Sequence, residues 1–218
     1  MSESDWDGGM TIADAAGFWD SRYAEGDQLW SGEPNVALVT AITDVPPGRA
    51  LDLGCGEGGD TVWLARRGWQ VTAVDVSATA VARARTAAAD RHIPEGQVTW
   101  LVEDLERWQP PGPYDLVSAC FLASPIEFDR TRVLQRAASS VTAGGHLLIV
   151  AHAGPPPWAS EHQHAHQRFL GPDEELANLA LDDHAWDVII REIRPRPAAG
   201  PNGERANLED TVVLARRR

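Results

Sequence analysis

In the run Ala50-Leu51-Asp52-Leu53-Gly54-Cys55-Gly56-Glu57-Gly58-Gly59-Asp60, three alternate glycines follow a leucine-rich segment. A carboxylate, Asp75, closes the next apolar run, Gln70-Val71-Thr72-Ala73-Val74. Glycines at this spacing let the backbone turn tightly and approach a ligand, and a helix starting behind them aims its free N–H groups at the same place. A carboxylate about twenty residues further on, at the end of a second strand, is positioned to accept both hydroxyls of a ribose. Such charge-assisted bonds are worth roughly 1.5–3 kcal/mol each. Together these residues describe a nucleoside-cofactor pocket. The glycines alone do not choose the cofactor: Gly54, Gly56 and Gly59 also match GxGxxG, which fits a nicotinamide dinucleotide.

The remaining reactive side chains are histidines, a thiol and aromatic rings. His152 closes the fifth apolar run, where ligands bind in open α/β sheets, and is the preferred general-base candidate. Cys120 holds the equivalent place on the fourth run, where a buried small thiol is the ordinary explanation. His162, His164 and His166 alternate, and in an extended chain they share one side and suit zinc or copper. No cysteine or carboxylate accompanies them at tight spacing, so a solvated loop or substrate-facing lid is expected and no metal centre is assigned. A non-catalytic module that keeps the nucleoside pocket and uses this segment for metal capture or partner contact is the alternative of a different class. Phe18, Trp19, Tyr23 and Trp30 read equally as core packing and as a lid. Tyr23 joins His152 as a candidate proton acceptor.

Composition narrows the chemistry. The formal charge of −13 argues against a nucleic-acid partner, because phosphate backbones are held by clustered cations. All 19 basic residues are arginine, which removes a pyridoxal Schiff base, a P-loop lysine and a kinase-type lysine. Two cysteines, Cys55 and Cys120, on separate strand ends make no disulfide framework and suit a reducing cytosol. The acidic start, with Glu3, Asp5 and Asp7, is unlike a signal peptide, and no run approaches bilayer length. A soluble, cytoplasmic protein with a small-molecule partner and no membrane partner is expected; oligomeric state is not legible.

The elements that must position these groups follow from periodicity. Residues 1–10 are expected to be a disordered leader and 11–48 an N-terminal helical lid, with helices over Ile12–Tyr23 and Val36–Ile42. Residues 49–218 are expected to form one α/β domain of a size that buries its own core. Strands are predicted near 50–54, 71–75, 98–102, 115–120 and 146–151, and helices near 59–67, 78–90 and 130–140, with Ser77 as an N-cap. A helix over Pro172–Leu179 precedes strands Trp186–Ile193 and Asp210–Ala215, separated by a loop over Pro195–Asn207. This is a doubly wound, Rossmann-like, seven-stranded and mostly parallel sheet with an antiparallel edge hairpin and helices on both faces.

This order of elements, with Asp52-Leu53-Gly54-Cys55-Gly56-Glu57-Gly58 after the first strand, Asp75 after the second and a closing hairpin, resembles the class I S-adenosylmethionine-dependent methyltransferases over roughly residues 12–218. Phe18-Trp19-Asp20-Ser21-Arg22-Tyr23 and Leu29-Trp30 resemble the small-molecule branch containing tellurite-resistance and thiopurine S-methyltransferase-like enzymes. The resemblance implies that Gly54, Cys55, Gly56 and Gly58 form the turn under the cofactor, and that Asp52 lies beneath its amino acid part. Asp75, with Val76 beside it, would hold the ribose. Asp104 and Leu105 would meet adenine, Cys120 would pass beside the reactive methyl, and Trp19 and Trp30 would cover the site. Asp52 favours this cofactor over a dinucleotide, since a negative charge there attracts an ammonium and a sulfonium and gives a pyrophosphate nothing. The implied reaction is in-line methyl transfer to a small sulfur, nitrogen, oxygen or chalcogen nucleophile, with an NAD-dependent oxidoreductase as the lesser alternative.

Overall fold

Apolar side chains on both faces of the central strands require helices on both sides of the sheet. A computed structural model describes residues 12–158, 168–200 and 202–218 in this arrangement; the expected leader and His162, His164 and His166 lie outside the described residues. Strands β1 Arg49–Leu53, β2 Gln70–Asp75, β3 Val98–Val102, β4 Tyr114–Cys120, β5 Val141–His152, β6 Trp186–Ala199 and β7 Arg205–Arg217 form one sheet in the order β3-β2-β1-β4-β5-β7-β6. β1 to β5 pair in parallel, and β7 runs antiparallel between β5 and β6. After β1 the sheet grows first toward β3 and later toward β5, so its direction switches between β1 and β4. Crossovers leave opposite faces there and open a crevice at the carboxyl ends.

Helices α2 Val36–Ile42, α3 Gly59–Arg66 and α4 Ala78–Asp90 cover one face, and α1 Ile12–Ala24 packs on α4. α5 Arg130–Ser139 and α6 Pro172–Leu179 cover the other. The expected cap at Ser77 is present: its Oγ accepts from Ala80 N at 3.1 Å. Asp129 caps α5 in the same way, accepting from Arg132 N at 3.0 Å.

The two-residue strand period assigns the polar groups. Ala50, Val71 and Ala73, Leu116, Leu148 and Val150, and Val212 and Leu214 all belong to the core under α2 and α3. Asp52, Asp75, Ser118, Cys120, His152 and Asp210 continue those alternations, so the pleat carries them all on one face, toward the crevice.

Two expectations change. β5 starts at Val141, directly after α5, rather than near 146. The closing hairpin is much longer than predicted, because β6 continues through Pro195 and Pro197, which face Glu209 and Asn207, to Ala199. The prolines read as loop residues, yet β6 is an edge strand, and a missing N–H that faces the free edge costs no ladder bond. The turn shrinks to 200–204, closed by Gly200 N to Glu204 O at 2.7 Å.

Trp69, 1% exposed, ties α2 and α3 to β2 in the core that carries the crevice. The Trp69→Ala variant is expected to lose about 3–5 kcal/mol of unfolding free energy, measured by urea titration.

Candidate active site

The chain leaves β1 through Gly54, Gly56 and Gly58, whose φ angles are +70°, +51° and +86°. This left-handed region strains any side-chain-bearing residue. Gly54 N and Cys55 N donate to Val74 O at 2.8 and 3.0 Å, tying the turn to the end of β2. A Cβ on Gly56 would lie 3.0 Å from Tyr23 Oη and 3.6 Å from Trp30, so the N-terminal aromatics roof the crest. A Cβ on Gly58 would instead strike Ala84 of α4 at 2.8 Å, giving this glycine a packing reason as well.

Asp75 is buried at the crest. Its Oδ2 accepts from Gly56 N at 2.8 Å and its Oδ1 from Ser77 N at 2.9 Å. Burial raises its pKa, opposed by these bonds. A carboxylate has about four acceptor positions, and with Val76 N–H also bonded to it about one remains for a further donor. Val76 follows, half-buried. Asp52, fully enclosed at the end of β1, accepts from Thr61 Oγ1 at 2.5 Å and from Ser118 Oγ at 3.3 Å. Burial, with the neighbouring Asp60 charge, pushes its pKa up to about 7. The Cys55 thiol is raised by burial and by the Asp75 and Asp52 charges.

Beyond β3, Asp104 Oδ1 accepts from Glu106 N at 2.9 Å, whereas Oδ2 is buried without a hydrogen bond, its nearest cation Arg107 Nε being 3.6 Å away. A buried acceptor left open in this way calls for a donor. Leu105, beside it, is buried.

Three carboxylates that sequence reasoning did not single out fasten the N-terminal segment over this crest. Asp20 accepts from Ser77 Oγ at 2.6 Å and Thr79 N at 3.0 Å, at the start of α4. Glu57 accepts from Leu29 N and Trp30 N at 3.0 and 2.8 Å and from Arg83 Nη1 at 2.9 Å. Asp60 takes both Asn35 N and Asn35 Nδ2 at 2.7 Å. Trp30, 54% exposed, donates Nε1 to Tyr23 Oη at 3.0 Å, and Trp19 Nε1 reaches Ser124 Oγ at 3.3 Å. Tyr23 is buried, and burial together with the Asp75 charge drives its pKa above the ordinary phenol value, so it stays protonated. Arg22 pairs with Glu25 on the exposed face of α1.

On the other side of the switch point, a cavity of about 360 Å³ opens between the ends of β4 and β5 and helices α5 and α6. Phe121, Phe128 and Phe169 line it, with His152 and Arg130. Phe121 has φ +54°, a costly conformation for a bulky residue, and stacks on His152 with ring centroids 4.4 Å apart. His152 Nδ1 lies 3.4 Å from Asp210 Oδ1. Arg130 is paired with buried Glu175 at 2.8 Å, donates Nε to Leu122 O at 2.9 Å, and holds Nη2 buried without a partner. The Cys120 thiol is pushed well up by desolvation and by Asp60, which it faces. A larger cavity of about 570 Å³ lies at the opposite end of the sheet, around Pro111, Arg136 and Arg217, away from these groups. Among the described residues no cluster of histidine, cysteine and carboxylate ligands is arranged to hold a metal, and no helix is long and apolar enough to cross a membrane.

Residues 50–145 match the methyltransferase domain family. The chain is 34% identical over 131 residues to an uncharacterized methyltransferase of Mycobacterium tuberculosis, covering 59% of this chain and 64% of that protein. It therefore spans less than two thirds of the length of that relative. It is 29% identical over 154 residues to "Probable thiol methyltransferase 2" of Arabidopsis thaliana, covering 66% of this chain and 67% of that one. Among solved structures, the N-methyltransferase NodS from Bradyrhizobium japonicum WM9 in complex with S-adenosyl-L-homocysteine superposes with a TM-score of 0.67 at 16% identity, covering 94% of this chain and 99% of that chain. That likeness concerns the fold.

The Glu57 carboxylate is the main tether of residues 29 and 30. The Glu57→Ala variant is expected to lose about 1.5–3 kcal/mol of stability and to be cut faster by protease between residues 24 and 35, read by mass spectrometry of limited digests.

Proposed function

We propose that this chain, which carries a class I S-adenosylmethionine-dependent methyltransferase domain, moves the methyl group of S-adenosylmethionine to a small-molecule acceptor. The observation that carries the reading is Asp75: a buried carboxylate beside the glycine crest, anchored by the backbone N–H groups of Gly56, Ser77 and Val76 and with acceptor capacity left over. A ribose hydroxyl would use that capacity. Asp104 Oδ2 adds a second fit, since an exocyclic amine would satisfy it, with Leu105 against the ring.

When bound, the cofactor supplies a methyl group already activated on a cationic sulfur. The protein's part is to hold, orient and exclude water. Asp52 would lie beneath the amino acid part of the cofactor and face its ammonium through a buried, water-poor medium, in which a charge pair counts for much more than in solvent. Tyr23, Trp30 and Trp19 roof the crest, and aromatic faces attract a cation by about 0.5–2 kcal/mol. Tyr23, held as a neutral phenol, serves here as a wall and a hydrogen-bond partner. Residues 11–48 act as the lid, fastened by Asp20, Glu57 and Asp60. The acceptor enters from the Phe121–His152 cavity, and Cys120 lies between the two halves. Alignment of two bound reactants reaches effective molarities of roughly 10⁵–10⁸ M, so positioning supplies most of the rate. His152 is the proton acceptor where the nucleophile arrives protonated. A cytoplasmic location suits this role and the two free thiols.

Calorimetry tests the reading. S-adenosylmethionine and S-adenosylhomocysteine are expected to bind the wild type and NAD is not; no binding of the first two sinks the proposal. Asp75→Ala is expected to weaken both by about 10- to 150-fold, the equivalent of roughly 1.5–3 kcal/mol.

Asp52 gives a pH signature. Its folded pKa, about 7, is raised above the unfolded value. The folded state therefore holds this proton longer, and the Asp52 contribution favours folding at acid pH and is lost as pH rises toward neutrality. The cofactor ammonium favours the ionised form. Binding is thus expected to release a proton near neutral pH and to tighten from about pH 6 to about pH 8, and Asp52→Asn is expected to abolish both effects in calorimetry across buffers of different ionisation heat.

A further inference from the structure

We infer that Asp210 holds His152 as the proton acceptor for a planar acceptor bearing an ionisable hydroxyl, seated among the phenylalanines of the cavity between β4 and β5; this rests on the methyltransferase reading above. His152 and Asp210 are direct partners in the antiparallel ladder of β5 and β7, so their proximity is set by strand register rather than by loop geometry. Asp210 is 2% exposed and sits 3.4 Å from His152 Nδ1. Arg196, from β6, donates Nε to Asp210 Oδ2 at 2.6 Å and Nη2 to Oδ1 at 3.2 Å. Burial raises the Asp210 pKa, but the bonds from His152 and Arg196 outweigh it and keep the group ionised below the ordinary carboxylate range.

An ionised Asp210 accepts only, so His152 presents Nδ1–H to it and leaves the Nε2 lone pair for the acceptor. The ring cannot swing freely, because Phe121 stacks on it at an interplanar angle of 35°. Arg196 in turn lies over the far partner of that stack, 5.3 Å from the Phe121 ring centre. One carboxylate thus holds both groups that clasp the strained Phe121. His152 is 38% exposed and lines the cavity, so the ring remains reachable. Of the other charges at this cavity, Arg130 pairs with Glu175 but keeps Nη2 open, Arg168 pairs with Glu174, and Asp129 caps α5 through Arg132 N. Cys120, at the end of β4, faces Asp60 of α3 and feels the Asp210 charge. Phe121, Phe128 and Phe169 line a space of about 360 Å³, whose size and aromatic walls suit a flat compound of one or two rings.

The step balances. The hydroxyl proton passes to His152 Nε2 while the acceptor oxygen's electron pair forms the bond to the methyl carbon. The pair of the broken carbon–sulfur bond stays with sulfur, which becomes neutral, and the imidazolium returns the proton to water. An acceptor already ionised has no use for this device, so a hydroxyl compound and a thiolate respond differently to its loss.

The test combines a structural and a kinetic readout. In ¹⁵N-histidine-labelled protein without cofactor, His152 is expected as the Nδ1–H tautomer, and Asp210→Asn is expected to lose that preference. With S-adenosylmethionine, phenol and 4-nitrophenol are the hydroxyl probes and thiophenol the control. Asp210→Asn and His152→Gln are expected to cut kcat on phenol by about 10²–10⁴-fold with KM little changed. On 4-nitrophenol and thiophenol, ionised at mildly alkaline pH, the expected loss is small. Should Asp210→Asn not fold, His152→Gln on its half-exposed site carries the comparison. An unchanged tautomer in Asp210→Asn, equal losses on all probes, or methylation of thiophenol with neither phenol accepted overturns the inference. Absence of cofactor binding to the wild type is a separate result, overturning the methyltransferase reading itself.

Discussion

Buried negative charge at the carboxyl ends of β1 and β2 is the constraint around which this protein is arranged. Asp52, Glu57, Asp60 and Asp75 lie buried within one crest, and taking a carboxylate out of water is costly unless its oxygens are satisfied. The fold meets that cost largely with backbone N–H groups. Gly56 and Ser77 serve Asp75, Leu29 and Trp30 serve Glu57, and Asn35 serves Asp60. Asp52 receives only hydroxyl donors, and burial beside Asp60 keeps its pKa raised.

The same constraint explains the N-terminal segment. Its helix and following turn have modest apolar burial of their own: Trp30 is exposed, whereas Tyr23 is buried against Gly56. Polar tethers do the attaching. Because donors from residues 29, 30 and 35 complete acceptors in the glycine turn and at the start of α3, roof and crest depend on each other: a loosened roof leaves buried carboxylates open. The two halves of the site are built differently as a result. The glycine crest is a set of loops held by charge-assisted bonds, while the Phe121–His152 cavity is carried by strand ends, with His152 and Asp210 locked in register between β5 and β7.

Much of the architecture was legible in single residues. Glycines, the Ser77 cap and the apolar runs are local signals, and they located β1 to β4, α3 and α4 within a residue or two of their observed ends. The hairpin was not legible, because Pro195 and Pro197 mark a loop everywhere except on an edge strand, and edge status is decided by the order of all seven strands. Asp75 and Asp52 stood out by spacing from the glycines. Asp20, Glu57, Asp60 and Asp210 did not, since an isolated acidic residue is ordinarily a solvated one and their partners lie on other elements.

The chain alone determined the period of its strands, the place of the glycine turn and the carboxylate that follows it, because each depends on neighbours within a few residues. Tertiary structure alone decided which acidic groups are buried, which backbone donors reach them, and that His152 faces Asp210 across a ladder. Those pairings join β5 to β7, and the N-terminal segment to α3 and α4. Contacts between segments distant in the chain arise only when the sheet's order and register bring them together, and no local spacing encodes them.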